Sequence, residues 1–405
     1  MRNLGAKLAL LKKSKRVESA PHRAANQISH SSREQLCKVL DGEFVQTEEG
    51  ELFVLRREYS LKQRYGIENL GSSLNFELCG LDQIYQGLQN FNIERTLFFD
   101  TETTGLAGGS GTYAFLVGIG FFEKETFVTE QLLMRDHSDE PALLSHFAKR
   151  LQNTESLVSY NGRTFDAQLL GTRFAMHRLP EPFQGRSHLD LLHLSRRLWG
   201  LSELPNCRLQ TIESQVLGAP RHDDVPGWMI PDLFFDFLRD KNPVPLKGVI
   251  EHNRRDILAM VALCSHLQKI LSAESVCDPH LGIGLARLWA CLNQADRSDA
   301  FFKASLQNSK LCQPAKEKGM IYWARELRRR KKIQSAALLW RRVLTEFPYN
   351  LEATIELAKW LEHKEKDYRS ALVLVECGLN TCTLTTLRKR DLEHRASRLR
   401  GRLPG

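Results

Sequence analysis

With 405 residues the chain is long enough for two or three domains that each bury a sizeable core, which excludes a small scaffold held by disulfides. Hydrophobic residues at 42% and charged residues at 26% exclude wholesale disorder and collagen-like bias. The net charge of +9 is uneven, with eight Lys/Arg against two acids in residues 1–35, 25 against 13 in residues 280–405, and 24 against 33 between them. An acidic centre between basic flanks suits a cation site beside segments that attract nucleic acid, and solvated tails would give the same charges.

In chain order, residues 1–35 read as a flexible basic tail in which Leu4, Leu8 and Leu11 allow one short amphipathic helix. Residues 43–59 read as a hairpin about Glu-Glu-Gly, an N-terminal extension of the following domain. From Thr96 the pattern is α/β. Strands are predicted over 96–100, 112–122 and 126–134 as an antiparallel meander, then over 156–160 and 189–192. Helices are predicted over 141–151, 164–177, 193–199, 208–217, 231–239 and, after Pro243 and Pro245, 246–271. Past Pro279 the strands vanish. Ala300, Ala336 and Ala371 recur there at near-constant spacing, each in the second helix of a pair, and the middle unit resembles a tetratricopeptide (TPR) repeat. The domain reading is therefore 1–35 tail, 36–278 α/β domain with its extension, 279–380 TPR-like repeats and 381–405 basic tail.

The apolar run Ala114–Phe122 is too short for a membrane span, and Lys7 interrupts the only leader-like segment. Nine cysteines without a C-x-x-C pair point to free thiols rather than a disulfide framework or zinc ribbon, and the expected location is cytoplasmic.

The carboxylates carry the chemical signal. Asp100 and Glu102 sit two apart at the end of an apolar strand and project from one face. Repulsion between them is costly unless a cation neutralises it. Tyr160-Asn161-Gly162-Arg-Thr-Phe165-Asp166 turns from a strand into a helix with Asp166 in its first turn. His252-Asn253-Arg-Arg-Asp256 places His252 and Asp256 on one helix face.

In this order the three elements resemble the exonuclease motifs of the DEDD superfamily, which has the ribonuclease H-like fold. Gly105 and the Gly-rich run to Thr112, the segment Asp224–Pro231 and the His-Asn-x-x-Asp ending are most similar to the YprB-type subgroup, where such a domain precedes TPR-like helices. The resemblance implies a mixed five-stranded sheet flanked by helices and a C-terminal all-α region. It implies Asp100, Glu102, Asp166 and Asp256 as ligands of two Mg²⁺ or Mn²⁺ ions. His252, one helical turn before Asp256 and of the side-chain type poised for physiological pH, is the expected general base. It also implies a substrate of single-stranded DNA or RNA cleaved from the 3′ end. Thr103, Gly105, Asn161, Phe165 and Asn253 are the expected substrate contacts, and the repeats the expected dock for a protein partner. Better-known branches carry Tyr four, or His five, residues before the last Asp, whereas this chain has His at the Tyr spacing.

Other readings stay open: a nonenzymatic scaffold built on a nuclease fold, or a structure-selective endonuclease using the same ions. Gly108–Gly111 lacks the Lys-Ser/Thr of a P-loop, so ATP binding is not expected. His222-Asp223-Asp224 reads as an acidic loop, Asp190 as a helix cap or support for the site, and the Trp residues past 280 as core. Arg328–Lys332 is either a solvated turn or a phosphate-contacting patch.

Overall fold

The computed structural model describes residues 30–105, 111–381 and 385–403. The Leu4/Leu8/Leu11 segment and Gly108–Ser110 lie outside the described residues.

Helix α1 (His30–Leu40) begins inside the stretch expected to be a tail. Its Leu36 and Leu40, one turn apart, bury in the core, and Arg33 pairs with Glu51, so residues 30–35 belong to a packed helix rather than to a tail. Strands β1 (Glu43–Thr47) and β2 (Gly50–Ser60) form the expected hairpin. A two-stranded ribbon, β3 (Arg64–Tyr65) and β4 (Glu68–Asn69), follows. Then come β5 (Thr96–Thr103), β6 (Ala114–Glu123), β7 (Thr126–Leu133), helix α2 (Glu140–Leu151), β8 (Ser156–Ser159), α3 (Asp166–Met176), β9 (Ser187–Asp190), α4 (Leu191–Trp199), α5 (Leu209–Gln215), α6 (Ile230–Asp240) and α7 (Leu246–Ser272).

The main sheet has seven strands rather than five, in the order β1-β2-β7-β6-β5-β8-β9. The meander is antiparallel, as expected, and β8 and β9 run parallel to β5, which makes the sheet a mixed one. The two additional strands come from the hairpin, because β2 pairs along the whole of β7, from Phe53 opposite Leu133 to Ser60 opposite Thr126. That pairing satisfies an edge that would otherwise present bare N–H and C=O groups.

Alternation along β5 divides the core. Leu97 and Phe99 pack on one face with α1, α2, α3 and α6, while Phe98 packs on the other with the C-terminal half of α7 and with α4. Helix α7 approaches the sheet closely because β6 carries Gly118 beneath it, where a Cβ would stand 2.1 Å from Asn253 Oδ1.

The C-terminal region comprises α8 (Pro279–Cys291), α9 (Ala295–Gln307), α10 (Gln313–Arg329), α11 (Ile333–Glu346), α12 (Leu351–Trp360), α13 (Tyr368–Thr381) and α14 (Thr386–Arg400). Residues expected as a basic tail thus include a helix, which Leu392, Ala396 and Leu399 anchor by burial at helical spacing. The region is not independent of the sheet: one apolar core runs from Phe98 and α7 through α4 into α8 and onward. Gly284 of α8 lets the backbone meet α4, where a Cβ would lie 2.2 Å from Leu198 O.

Ala336 and Ala371 are buried as the repeat spacing requires, but Ala300 is exposed, and α9 packs instead through Ser298, Phe301 and Phe302. Trp289 and Trp340 are core residues. Of the basic run, Arg328 pairs with Glu356, Arg329 with Glu326 and Arg330 with Asp299, so three of its five cations are committed within the fold. No helix among the described residues is long and apolar enough to cross a membrane.

Candidate active site

Asp100 and Glu102 leave the end of β5 on the face that α7 crosses, and Asp166 comes to their side from the first turn of α3. Buried Asn253 holds the first carboxylate. Its Nδ2 donates to Asp100 Oδ2 at 2.9 Å and lies 3.3 Å from the Asp100 carbonyl, while its Oδ1 accepts from Gln131 Nε2 at 2.9 Å. Gln131 is fixed in turn by Ile250 O at 2.7 Å. Asp166 Oδ1 accepts from the backbone N–H of Thr101 at 3.1 Å and from the Thr101 hydroxyl.

The turn before Asp166 is tied down by Asp190. Its carboxylate caps α4 at Leu192 N (3.1 Å) and accepts from the backbone N–H of Asn161 (2.8 Å) and Arg163 (3.2 Å). Capping and support of the site, alternatives in the sequence, are both performed by one side chain.

His252 faces the acids. Its Nε2 is 3.9 Å from Glu102 Oε1 and 3.6 Å from Asp256 Oδ2, and its Nδ1 is 3.0 Å from Asp224 Oδ1. Asp224 therefore favours the tautomer protonated at Nδ1, leaving Nε2 an acceptor directed at the site. Buried Arg221 ties the far side: Nε donates to Glu213 Oε2 at 2.5 Å, Nη1 to Asp224 Oδ2 at 3.2 Å, and Nη2 to Asp256 Oδ1. Tyr65 donates its hydroxyl to Glu213 from behind.

The electrostatics show a surplus of negative charge. Burial, then the repulsion of neighbouring carboxylates with Asp256 foremost, holds Asp100 and Glu102 well above the ordinary carboxylate range. Burial raises Asp166 to about 6 even though Thr101 hydrogen bonds favour its charged form. Burial likewise raises Glu213 to about 7 against the pull of Arg221. Each such shift opposes ionisation in the fold by about 1.4 kcal/mol per pKa unit, a cost that bound cations would remove. The donor set is four hard carboxylates, which fits divalent ions of the Mg²⁺ or Mn²⁺ type. In the present arrangement Asp166 is turned to Thr101 and Asp256 to Arg221. The one group of three whose ligand atoms all lie within 4.8 Å among the described residues is elsewhere, at Glu203, His280 and Cys312.

The structure thus brings Asp100, Glu102, Asp166, His252 and Asp256 together. The expected substrate contacts are more varied. Asn253 is fully buried and its carboxamide is spent on Asp100 and Gln131, so it positions a carboxylate and offers no free edge. Thr103 is buried with its hydroxyl donating to Gly105 O at 2.9 Å, which commits it to the turn that Gly105 continues. Asn161 is exposed, in a left-handed conformation at φ 67°, and Phe165 is half-buried beside Asp166 and outside both apolar cores.

Asp224, Arg221, Glu213 and Tyr65 are members of the site that sequence reasoning missed. Asp224 had a signal, because it opens the segment Asp224–Pro231 that carries the family resemblance. Tyr65 and Glu213 had none, since their partners come from distant segments.

Residues 97–268 match the RNase_H superfamily. The uncharacterized protein YprB of Bacillus subtilis (strain 168) is 30% identical over 357 residues, 85% of this chain and 84% of that protein. Among solved structures, the family B DNA polymerase of the hyperthermophilic archaeon Pyrobaculum calidifontis is similar at a TM-score of 0.36 and 13% identity, covering 73% of this chain and 36% of the polymerase. A likeness of that degree carries no argument about this chain. The acidic strand end, the flanking helices and the extent of the match to YprB agree, and the chain belongs to the YprB family, with a nuclease-type domain of the RNase H superfamily.

Proposed function

We propose that the protein is a metal-dependent 3′-to-5′ exonuclease acting on single-stranded nucleic acid. The observation that carries the reading is the convergence of acids from β5, α3 and α7, two of which, Glu102 and Asp256, face a histidine whose second nitrogen is held by Asp224. Two divalent ions on Asp100, Glu102, Asp166 and Asp256 would polarise the attacking water and stabilise the leaving 3′-oxygen and the developing phosphoryl charge.

The chain's own residues do the rest. Asn253 and Thr101 orient Asp100 and Asp166, His252 Nε2 accepts the proton of the water, and Asp224 stabilises the imidazolium that results. Phe165, beside Asp166 and free of the core, is the residue against which a terminal base unstacks. Single strands are favoured because a paired end must first be opened, at about 1.4 kcal/mol per stacked step. In this reading the helices beyond residue 279 form a TPR-like array that docks a protein partner.

The test compares a 5′-labelled linear strand with a circular strand of the same composition. Stepwise shortening of the linear substrate that needs a divalent ion, with the circle untouched, is the expected result. Efficient cutting of the circle moves the reading to an endonuclease. No cutting of either under any divalent ion, in DNA or RNA, leaves the nonenzymatic scaffold.

A further inference from the structure

We propose that Glu203, His280 and Cys312 form a second metal site, of zinc class, that clamps the sheet domain to the C-terminal helices. Glu203 lies in the turn after α4, His280 in the first turn of α8, and Cys312 immediately before α10. Three segments distant in sequence thus meet at one point, and each brings a different ligand type.

The geometry fits. The three ligand atoms lie within 4.8 Å of one another, and His280 Nε2 stands 3.3 Å from Cys312 Sγ. Zn–N and Zn–S bonds of about 2.0 and 2.3 Å at a tetrahedral angle separate nitrogen and sulfur by about 3.5 Å. The imidazole is prepared for the role, because buried His280 has Nδ1 3.1 Å from Asp278 Oδ1. That is the carboxylate–histidine arrangement that sets the tautomer of a metal-bound ring and leaves Nε2 with its lone pair toward the ligand position. The Cys312 backbone N–H donates to this same nitrogen at 3.3 Å, which shows it unprotonated, and a bound ion would displace that contact. The exposed carboxylate of Glu203 has no hydrogen-bond or ion-pair partner among the described residues, and a water completes four-coordination.

The ligand chemistry separates this site from the acidic quartet. A thiolate and an imidazole select zinc-class ions, whereas four carboxylates take hard cations. A bound ion links the turn after α4 to both ends of the first helical pair, on the seam where α4 packs against α8. Because the unfolded chain lacks the site, binding there stabilises the docked arrangement by mass action.

The test uses the full chain, stripped of metal and titrated with Co²⁺. The expected result is a thiolate-to-cobalt charge-transfer band that saturates at one equivalent, is displaced by Zn²⁺, persists in Asp100→Asn/Asp256→Asn and is lost in Cys312→Ser. In the Asp100→Asn/Asp256→Asn background, where the acidic quartet is disabled, Zn²⁺ raises the melting temperature, and adding Cys312→Ser removes that shift. Asp278→Asn keeps an N-cap for α8 but removes the carboxylate behind His280, and weakens the metal by about ten- to a hundredfold. Cys312→Ser is a near-isosteric change at a half-buried position, so circular dichroism of the variant separates loss of metal from loss of fold. A titration with no thiolate–cobalt band overturns the proposal and leaves an ordinary thiol–imidazole hydrogen bond. So does a band that survives intact in Cys312→Ser, because its sulfur then belongs to another cysteine.

Discussion

His252 and Arg221 stand on opposite sides of Asp256 and do opposite things to it. The imidazole presents an acceptor nitrogen at 3.6 Å, while the guanidinium claims the other carboxylate oxygen and is itself held by Glu213 and Asp224. His252→Ala is expected to lower the single-turnover rate by about 10² to 10⁴ with divalent affinity retained. Asp224→Asn should cost less than His252→Ala, since it disturbs the tautomer without removing the base. An equal rate for all three proteins would assign water activation to the ions alone. Arg221→Met should destabilise the fold by about 3–5 kcal/mol in urea denaturation near pH 8, because Glu213 is left buried without a counter-charge, held only by the Tyr65 hydroxyl. Near pH 5 the loss should shrink, since Glu213, already raised to about 7 by burial, is then protonated and neutral.

At the scale of elements, the site depends on how closely α7 lies over β6. Gly118→Ala would drive a methyl into the Asn253 carboxamide, and with it loosen Asp100 and Gln131. The expected cost is about 1–3 kcal/mol of stability together with weaker divalent binding, measured by urea titration and calorimetry. Unchanged metal affinity in that variant would mean that Asn253 does not position Asp100. Much of this level was legible in the sequence. The strand ending in Asp-Thr-Glu, the Asn-Gly turn into α3 and the long helix carrying His252 and Asp256 are local patterns, governed by periods of 2 and 3.6. The seven-stranded sheet was not, because strand pairing between β2 and β7 is a long-range event that neither segment announces.

For the whole molecule, pH and divalent ions are coupled. Asp166 ionises near 6 in the fold against 3.8 ordinarily, Asp100 and Glu102 are raised as well, and Glu213 reaches about 7. Between the unfolded and folded values the native state holds more protons, so the stability Asp166 and Glu213 contribute is full at low pH and lost as pH rises through about 6 to 7, and the raised Asp100 and Glu102 act in the same direction. Glu130, lowered to about 2 by His146 and Arg150 hydrogen bonds that outweigh burial, acts the other way, but its contribution falls away only below about pH 4.5 and does not overlap this window. The chelated protein should therefore melt lower near pH 8 than near pH 5.5, and Mg²⁺ or Mn²⁺ should raise the midpoint more at the higher pH. An ion-induced shift independent of pH would break the link to the quartet. At the same scale, Lys331 and Lys332 are the members of the basic run without a partner among the described residues. Their joint replacement by Ala should lower the salt slope of single-strand binding by at most about 1.4, and an unchanged slope would confine the helical region to protein contacts.

What the sequence by itself determined is local: the strand end that carries Asp100 and Glu102, the helix that carries His252 and Asp256, the α/β order of these elements, and the helical character of the described residues past Pro279. Those features are encoded in neighbours a few residues apart. Tertiary structure alone decided the rest. Asn253 is spent on Asp100 because Gly118 admits α7; Asp224, not a solvated loop acid, stands behind His252; Arg328, Arg329 and Arg330 are neutralised by acids of their own helices or of neighbouring ones. Ala300 faces solvent although its spacing matches Ala336 and Ala371. In each case the fate of a polar or small side chain is set by what another segment brings within about 3–4 Å, and no local period carries that information.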